Sequence, residues 1–490
     1  MTRTNLGKVG ILYKDANRLI DDLEHAGTEI HSLYAMRHGL PVLEGYWAPY
    51  GPGVLHGCQS LSKTVTGIAL GTAMQEGILH LSDRLIDIFP EYAHHTAGRP
   101  YWNELQVRHI ATMSAGMDTQ PAVTSSNWIE EFFQTDIVHK PGTSFFYNSI
   151  ACSMVGACIR RKTGVGLKEF LTSRVFCKIG VDPDLITWHC HPNGMENGSG
   201  GVMSTVRQTA LLMELYRRGG VWNNERILSE EWVRFALQVQ NPYPEGALKY
   251  GGMMWVWEHC FAADGAMGQW SLFYPEKDLV ISVNQTLTGD GYSEVRGILE
   301  RFAASLCDHP VEWTEKEELA FSDRISRLCI PHPTYGPDPV LLSAIDGKCL
   351  DIKGGTAHFF ADDLTIFDRS YQAPVTAFRF EKQGNGLMLH VHTDGGTRLC
   401  PVTFSGNRSV YEVDTPSSNP VRIASVTGHC PDGHTLCLEV RWLESCRIHL
   451  IRFNFTGTGA EITTSRLRVG GFDVPDETVH AKWTKEAAHG

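Results

Sequence analysis

No run of about 18 apolar residues occurs in the chain, so no segment is long enough to cross a bilayer as a helix. A cationic surplus is also missing. Lys and Arg number 43 against 55 Asp and Glu, a formal charge of −12, which leaves little to displace counterions from a nucleic acid or an anionic membrane. The 13 cysteines are odd in number, run from Cys58 to Cys446 and never form a C-x-x-C pair, which argues against a disulfide framework and for reduced thiols. The nearest thing to a metal cluster, His189-Cys190-His191, sends adjacent side chains to opposite sides of an extended segment and has no second pair at finger-like spacing. Neither a metal nor a cofactor is therefore expected. The opening stretch, MTRTNLGKVGILYKDANRL, returns to charge too soon for a secretory signal, and the expected address is the cytoplasm.

What is present is ordinary globular composition, 42% apolar and 20% charged over 490 residues, enough for two or three domains each with its own core. Residues 30–37 and 40–45 read as two strands joined at His38-Gly39. A helix follows over about 60–76, ended by Gly77, and it is apolar nearly all round, the mark of a buried central helix. Further helices are predicted over about 102–113, 149–162, 166–176 and 205–218, and strands over 253–262, 270–274 and 279–284. Strands at both ends with helices between predict an α+β unit: an antiparallel sheet flanked by helices, with an all-helical insertion. A Pro-rich stretch (Pro331, Pro333, Pro337, Pro339) follows, and beyond about 345 the pattern is nearly all β, with hairpin signals at Gly384-Asn385-Gly386, Asp394-Gly395-Gly396 and Asp432-Gly433. The expected division is a first domain over 1–310, a linker over 311–344, an antiparallel β-barrel domain over 345–478 and a tail over 479–490. The β-rich part holds no catalytic constellation, so cutting the chain after Pro339 is expected to leave the chemistry intact.

Three short segments could carry that chemistry. In Ser60-Leu61-Ser62-Lys63, positions i and i+3 share a helix face, so Lys63 returns beside the Ser60 hydroxyl. A serine needs a base within hydrogen-bond reach, and desolvation in an apolar helix can lower a lysine enough to serve. The same pattern also suits a plain helix cap with a surface lysine. Tyr147, in Phe145-Phe146-Tyr147-Asn148-Ser149 before an apolar helix, could relay protons if a lysine ammonium holds its phenol pKa down, or could simply anchor the core. Gly265-Ala266-Met267-Gly268-Gln269 enters a strand, where glycines let a substrate lie along the edge and a backbone N–H could complete an oxyanion hole; a plain turn reads equally well.

Together these segments resemble the serine β-lactamase and penicillin-binding-protein-like superfamily, closest to its class C β-lactamase, D-aminopeptidase and esterase branch. The likeness extends to Val107-Arg108-His109-Ile110-Ala111-Thr112-Met113-Ser114-Ala115-Gly116-Met117, to Gly198-Ser199-Gly200-Gly201-Val202-Met203-Ser204-Thr205, and to Tyr216-Arg217-Arg218-Gly219-Gly220-Val221-Trp222 with Arg226-Ile227-Leu228-Ser229. It covers about residues 20–305, while the tail more weakly resembles appended lipocalin-like barrels. The resemblance implies that Ser60 is the acylated nucleophile, Lys63 its activating partner and Tyr147 the general base and acid. It also implies an oxyanion hole from the amides of Ser60 and Ala266, with Ser149, Gly265, Gly268 and Gln269 lining the substrate. Two departures stand out. The family's Tyr-x-Asn reads Tyr147-Asn148-Ser149, and where many members carry Lys-Thr-Gly or His-x-Gly this chain has Ala263-Asp264-Gly265, with no cation for a substrate carboxylate. The expected function is therefore a serine hydrolase of small esters, amides or peptides rather than an efficient β-lactamase. An acyltransferase using the same acyl-enzyme, or a catalytically weak binding or sensory protein, remain the alternatives.

Overall fold

Six strands make an antiparallel sheet in the order Leu40–Tyr46, Glu29–Arg37, Leu279–Thr286, Gln269–Tyr274, Phe261–Gly265, Trp255–Val256. The computed structural model describes residues 4–484 apart from 242–248, 288–290, 332–334, 356, 358, 361–373, 405–407, 414–420, 446 and 467–474. As the pattern predicted, the sheet is assembled from both ends of the first 310 residues. Successive strand residues face opposite sides and build two cores. Leu33, Ala35, Leu272, Ile281 and Val283 pack against the helices Tyr13–His25 and Gly291–Ser305. Tyr34, Met36, Ala263, Phe273 and Val280 belong to the core that holds the helices Leu61–Gln75, Ser149–Thr163 and Val206–Arg217.

The helix Leu61–Gln75 is the axis of this second core, buried at every position from Leu61 to Met74. Its small residues let neighbours close in. A Cβ on Gly71 would lie 2.2 Å from Trp232 Cδ1, and the Trp232 ring is itself fixed by an Nε1 bond to the Tyr216 hydroxyl at 3.1 Å. Gly71→Ala is thus expected to lower stability by about 1–3 kcal/mol, the cost of overpacking a dense core. An unchanged thermal midpoint would mean that Trp232 can swing aside.

Three local predictions differ from the structure. The stretch 253–262 is two short strands, Trp255–Val256 and Phe261–Gly265, because Trp257 N–H bonds the Cys260 carbonyl and folds the run into a hairpin. The stretch 102–113 is broken at Gln106, whose extended backbone and reciprocal cap with His109 start a new helix at Val107. The stretch 166–176 begins as the helix Leu167–Leu171, widens into a π turn at Thr172–Phe176 and stops at left-handed Gly180.

The second domain is a closed nine-stranded barrel, antiparallel except where Gly396–Thr403 meets Ile423–Asp432 in parallel to shut the ring. Phe378, Phe380 and Phe453 fill its interior edge to face. Glu477–Thr484 is one of its strands, paired on both sides, so the expected tail at 479–490 starts inside the barrel; Val479 and Ala481 alternate inward as the pleat requires. Residues 485–490 lie outside the described residues. Within the expected linker, Glu315–Ser326 is a helix whose buried Phe321 packs on Tyr13, and Pro333 lies outside the described residues.

Candidate active site

Ser60 stands at the entrance of the central helix, partly exposed where Cys58, Gln59 and Leu61 are buried. Gln59 just before it has φ +50°, left-handed backbone that costs a non-glycine residue roughly 1–2 kcal/mol. Met113 (φ +59°) and Met253 (φ +55°) share the conformation, and both touch the same place: Met253 O accepts from Thr64 Oγ1, and Met113 Sδ accepts from Asn148 N. Such strain survives only where the surroundings over-determine it, and three of the eight left-handed non-glycine residues among those described gather here.

Lys63 is 2% exposed. Its Nζ donates to Ser60 Oγ at 3.0 Å and to the Ser199 carbonyl at 2.8 Å, so the ammonium is tied to the serine and to the 198–205 turn at once. Burial lowers its pKa from 10.5 to about 8. Tyr147 completes the group. Its hydroxyl shares a hydrogen bond with Ser60, its ring lies under Lys63 Nζ at 4.8 Å, and it stacks on Trp255 at 5.7 Å. The phenol, however, is pushed well above its usual value by burial, with Asp264 and Cys152 adding to the effect. The lysine does not hold it down, because the ammonium sits over the ring face rather than at the oxygen.

The strand Phe261–Gly265 brings the second segment in. A Cβ on Gly265 would lie 2.5 Å from the Cys58 carbonyl, so only glycine lets the strand end rest against the chain leading to Ser60. Ala266, partly exposed, follows in the turn closed by Gly268 N–H on the Gly265 carbonyl at 2.9 Å. Gly268 (φ +95°) makes that turn possible, and Gln269 points inward, its Nε2 on the Gln285 carbonyl at 3.1 Å. Ser149 begins its helix 7% exposed.

Two neighbours of the site carried no signal in the sequence. The Ser199 carbonyl is a backbone atom, which no residue type announces. Gln120 reaches across from a loop, its Oε1 accepting from Ser149 N and Ile150 N at 2.7 and 3.3 Å. Asp264 accepts from Trp270 Nε1 at 2.9 Å and from the Tyr292 hydroxyl at 2.6 Å, and burial raises its carboxyl to about 6. In the tripeptide His189-Cys190-His191, His191 bonds the Val123 carbonyl and Ser153 Oγ, and the Cys190 thiol donates to the Trp188 carbonyl at 3.8 Å.

The barrel also reaches this place. Gly57 N–H, three residues before Ser60, donates to the Glu444 carbonyl at 2.8 Å. The Glu444 carboxylate is anchored in turn by Arg422 N and Ile423 N. Beside it Arg441 pairs with Glu29, Glu29 meets His31 at 3.2 Å, and His31 meets His56 at 3.0 Å. Leu443 enters the sheet's core, while Met203 belongs to the barrel's.

The family model described as Beta-lactamase matches residues 17–305, more than half of the chain. The chain belongs to the β-lactamase family. It is 27% identical over 173 residues to a β-lactamase of Escherichia coli (strain K12), covering 31% of this chain and 45% of that protein. To the 6-aminohexanoate-dimer hydrolase of Paenarthrobacter ureafaciens it is 25% identical over 241 residues, 45% of this chain and 61% of that one. The chain thus spans about half the length of these relatives. Among solved structures, a penicillin-binding protein homologue from Caulobacter crescentus superposes with a TM-score of 0.50 at 15% identity, over 62% of this chain and 99% of that one, a likeness of fold. The family is one of β-lactamase-fold hydrolases, and among the described residues no helix is long and apolar enough to cross a membrane.

Proposed function

We propose that the chain is a serine hydrolase working through an acyl-enzyme on Ser60. The observation that carries this reading is the desolvated Lys63 amine 3.0 Å from Ser60 Oγ. With the lysine lowered to about 8 and the phenol raised, the accessible base is Lys63 rather than a tyrosinate. Neutral Lys63 takes the Ser60 proton as Oγ attacks the carbonyl carbon, and the oxyanion is met by the amides of Ser60 and Ala266 at the positive end of the central helix. Tyr147 passes a proton to the departing alcohol or amine and is reprotonated from Lys63. Water then attacks the acyl-enzyme by the same route reversed, releasing acid and free serine.

The walls narrow the substrate class. Phe145, Tyr147 and Trp255 form an aromatic wall beside the nucleophile, backed by buried Tyr250 at 4.9 Å from Trp255, a surface for an apolar or aryl group. Ala263 stands where the family's lysine or histidine would be, so no cation meets a substrate carboxylate there, and the Asp264 carboxylate follows it. A neutral ester or amide with an apolar group fits better than a carboxylate-bearing lactam.

The test is intact mass after treatment with a fluorophosphonate. One adduct per chain is expected on the wild type and none on Ser60→Ala of unchanged thermal midpoint. A wild type that stays unmodified would sink the reading.

A further inference from the structure

Away from Ser60, the one-turn helix Ala93–Thr96 carries two adjacent histidines, and the helix Trp128–Gln134 carries Glu130 opposite them. One donor atom from each of His94, His95 and Glu130 lies within 4.8 Å of the others. His95 Nε2 and Glu130 Oε1 are 2.9 Å apart, and the two imidazole rings are 3.8 Å apart, centre to centre. His94 Nδ1 donates to the Glu91 carbonyl at 2.9 Å, which places that ring's proton on Nδ1 and leaves Nε2 with a free lone pair.

The two carriers are held in register independently of these three side chains. The Arg99 guanidinium donates to the carbonyls of His95 and Phe133 at 3.0 and 2.8 Å, and onward to Gln134 O and Asp136 at 2.9 and 2.7 Å. Tyr92 stacks on buried Phe133 at 5.0 Å beneath. The donors therefore stand on a fixed frame, and only side-chain rotation of exposed His94 is needed to close the set.

We propose that His94, His95 and Glu130 form a binding site for a divalent transition metal, with zinc as its fitting occupant. Two imidazoles and one carboxylate are borderline donors that suit zinc and disfavour magnesium and calcium, which want all-oxygen cages. Three protein ligands at bond lengths of about 2.0–2.2 Å leave a fourth, water-filled position. On binding, the His95 proton moves from Nε2 to Nδ1, so that Nε2 offers its lone pair, and Glu130 exchanges a hydrogen bond for a coordinate bond; the neutral imidazole releases no net proton. The ion would staple the 93–96 turn to the helix that follows the Gln120 loop. The site is independent of the Ser60 reading and stands or falls apart from it.

The experiment uses the full chain, stripped with a chelator and titrated with zinc chloride by calorimetry, alongside cobalt(II) absorption. The expected result is one ion per chain with a raised thermal midpoint, and cobalt bands without thiolate charge transfer. His95→Ala and Glu130→Gln, whose metal-free midpoints should match the wild type, are expected to weaken binding by more than about tenfold. Equal affinity in those variants, a thiolate–cobalt band, or no saturation by about 1 mM zinc would each overturn the site.

Discussion

Lys63→Met is expected to lower turnover of a p-nitrophenyl ester by about 10²–10⁴-fold, the usual worth of a positioned acid–base group, while leaving the protein folded. Steady-state kinetics across pH would show why. In the wild type, kcat/KM should climb about tenfold per pH unit below about 8 and level off above it, because only the neutral amine can accept the Ser60 proton. Tyr147→Phe should lose about 100-fold or more without moving that inflection, since the phenol donates rather than accepts. An inflection that vanished in Tyr147→Phe but survived in Lys63→Met would exchange the two roles. The same burial leaves a mark on stability. The folded value lies below the unfolded 10.5, so between about pH 8 and 10.5 the unfolded chain holds more protons at this one group and the contribution of Lys63 to stability rises with pH, against the opposite slope of buried thiols such as Cys152, which burial pushes up. Across that window the gain amounts to roughly 3 kcal/mol, and Lys63→Met should erase it.

The second large effect concerns the barrel. A chain cut after Pro339 is now expected to lose fluorophosphonate labelling, contrary to what the absence of catalytic motifs in the second domain implied. Cutting there uncovers Met203, leaves Gly57 N–H without the Glu444 carbonyl and strips Glu29 of Arg441. Stranding a buried ion in the intact chain typically costs about 3–5 kcal/mol; the cut instead opens Glu29 to water, and what it weakens is the support of the strained Gln59, two residues beyond Gly57. In the full chain, Arg441→Met alone should be more destabilising than Arg441→Met combined with Glu29→Met, where neither charge is stranded; a double-mutant cycle by chemical denaturation measures the difference. Full labelling of a folded, truncated chain would show that the serine strand needs no help.

How much of this could be read from residues alone depended on what kind of contact was involved. Ser60, Lys63 and Tyr147 were legible because helical spacing and chemistry-bearing side chains coincide, and the all-apolar helix behind them announces burial. The run at 253–262 was not, since an unbroken apolar stretch looks the same whether it is one strand or two joined at Trp257 and Cys260. Nor was the shift of the Tyr147 phenol, which depends on how deeply the folded chain buries its oxygen. The Ser199 and Glu444 carbonyls are invisible in principle: every residue has one.

The Glu444 carbonyl meets Gly57 across about 390 residues of chain. A ribosome adding roughly 5–20 residues each second delivers it roughly 20–80 s after Gly57 has been made. During that interval the serine's neighbourhood has left the exit tunnel but lacks its last support. On the proposed reading, a chain still being made becomes open to labelling at Ser60 only after the segment that carries Glu444 has been added.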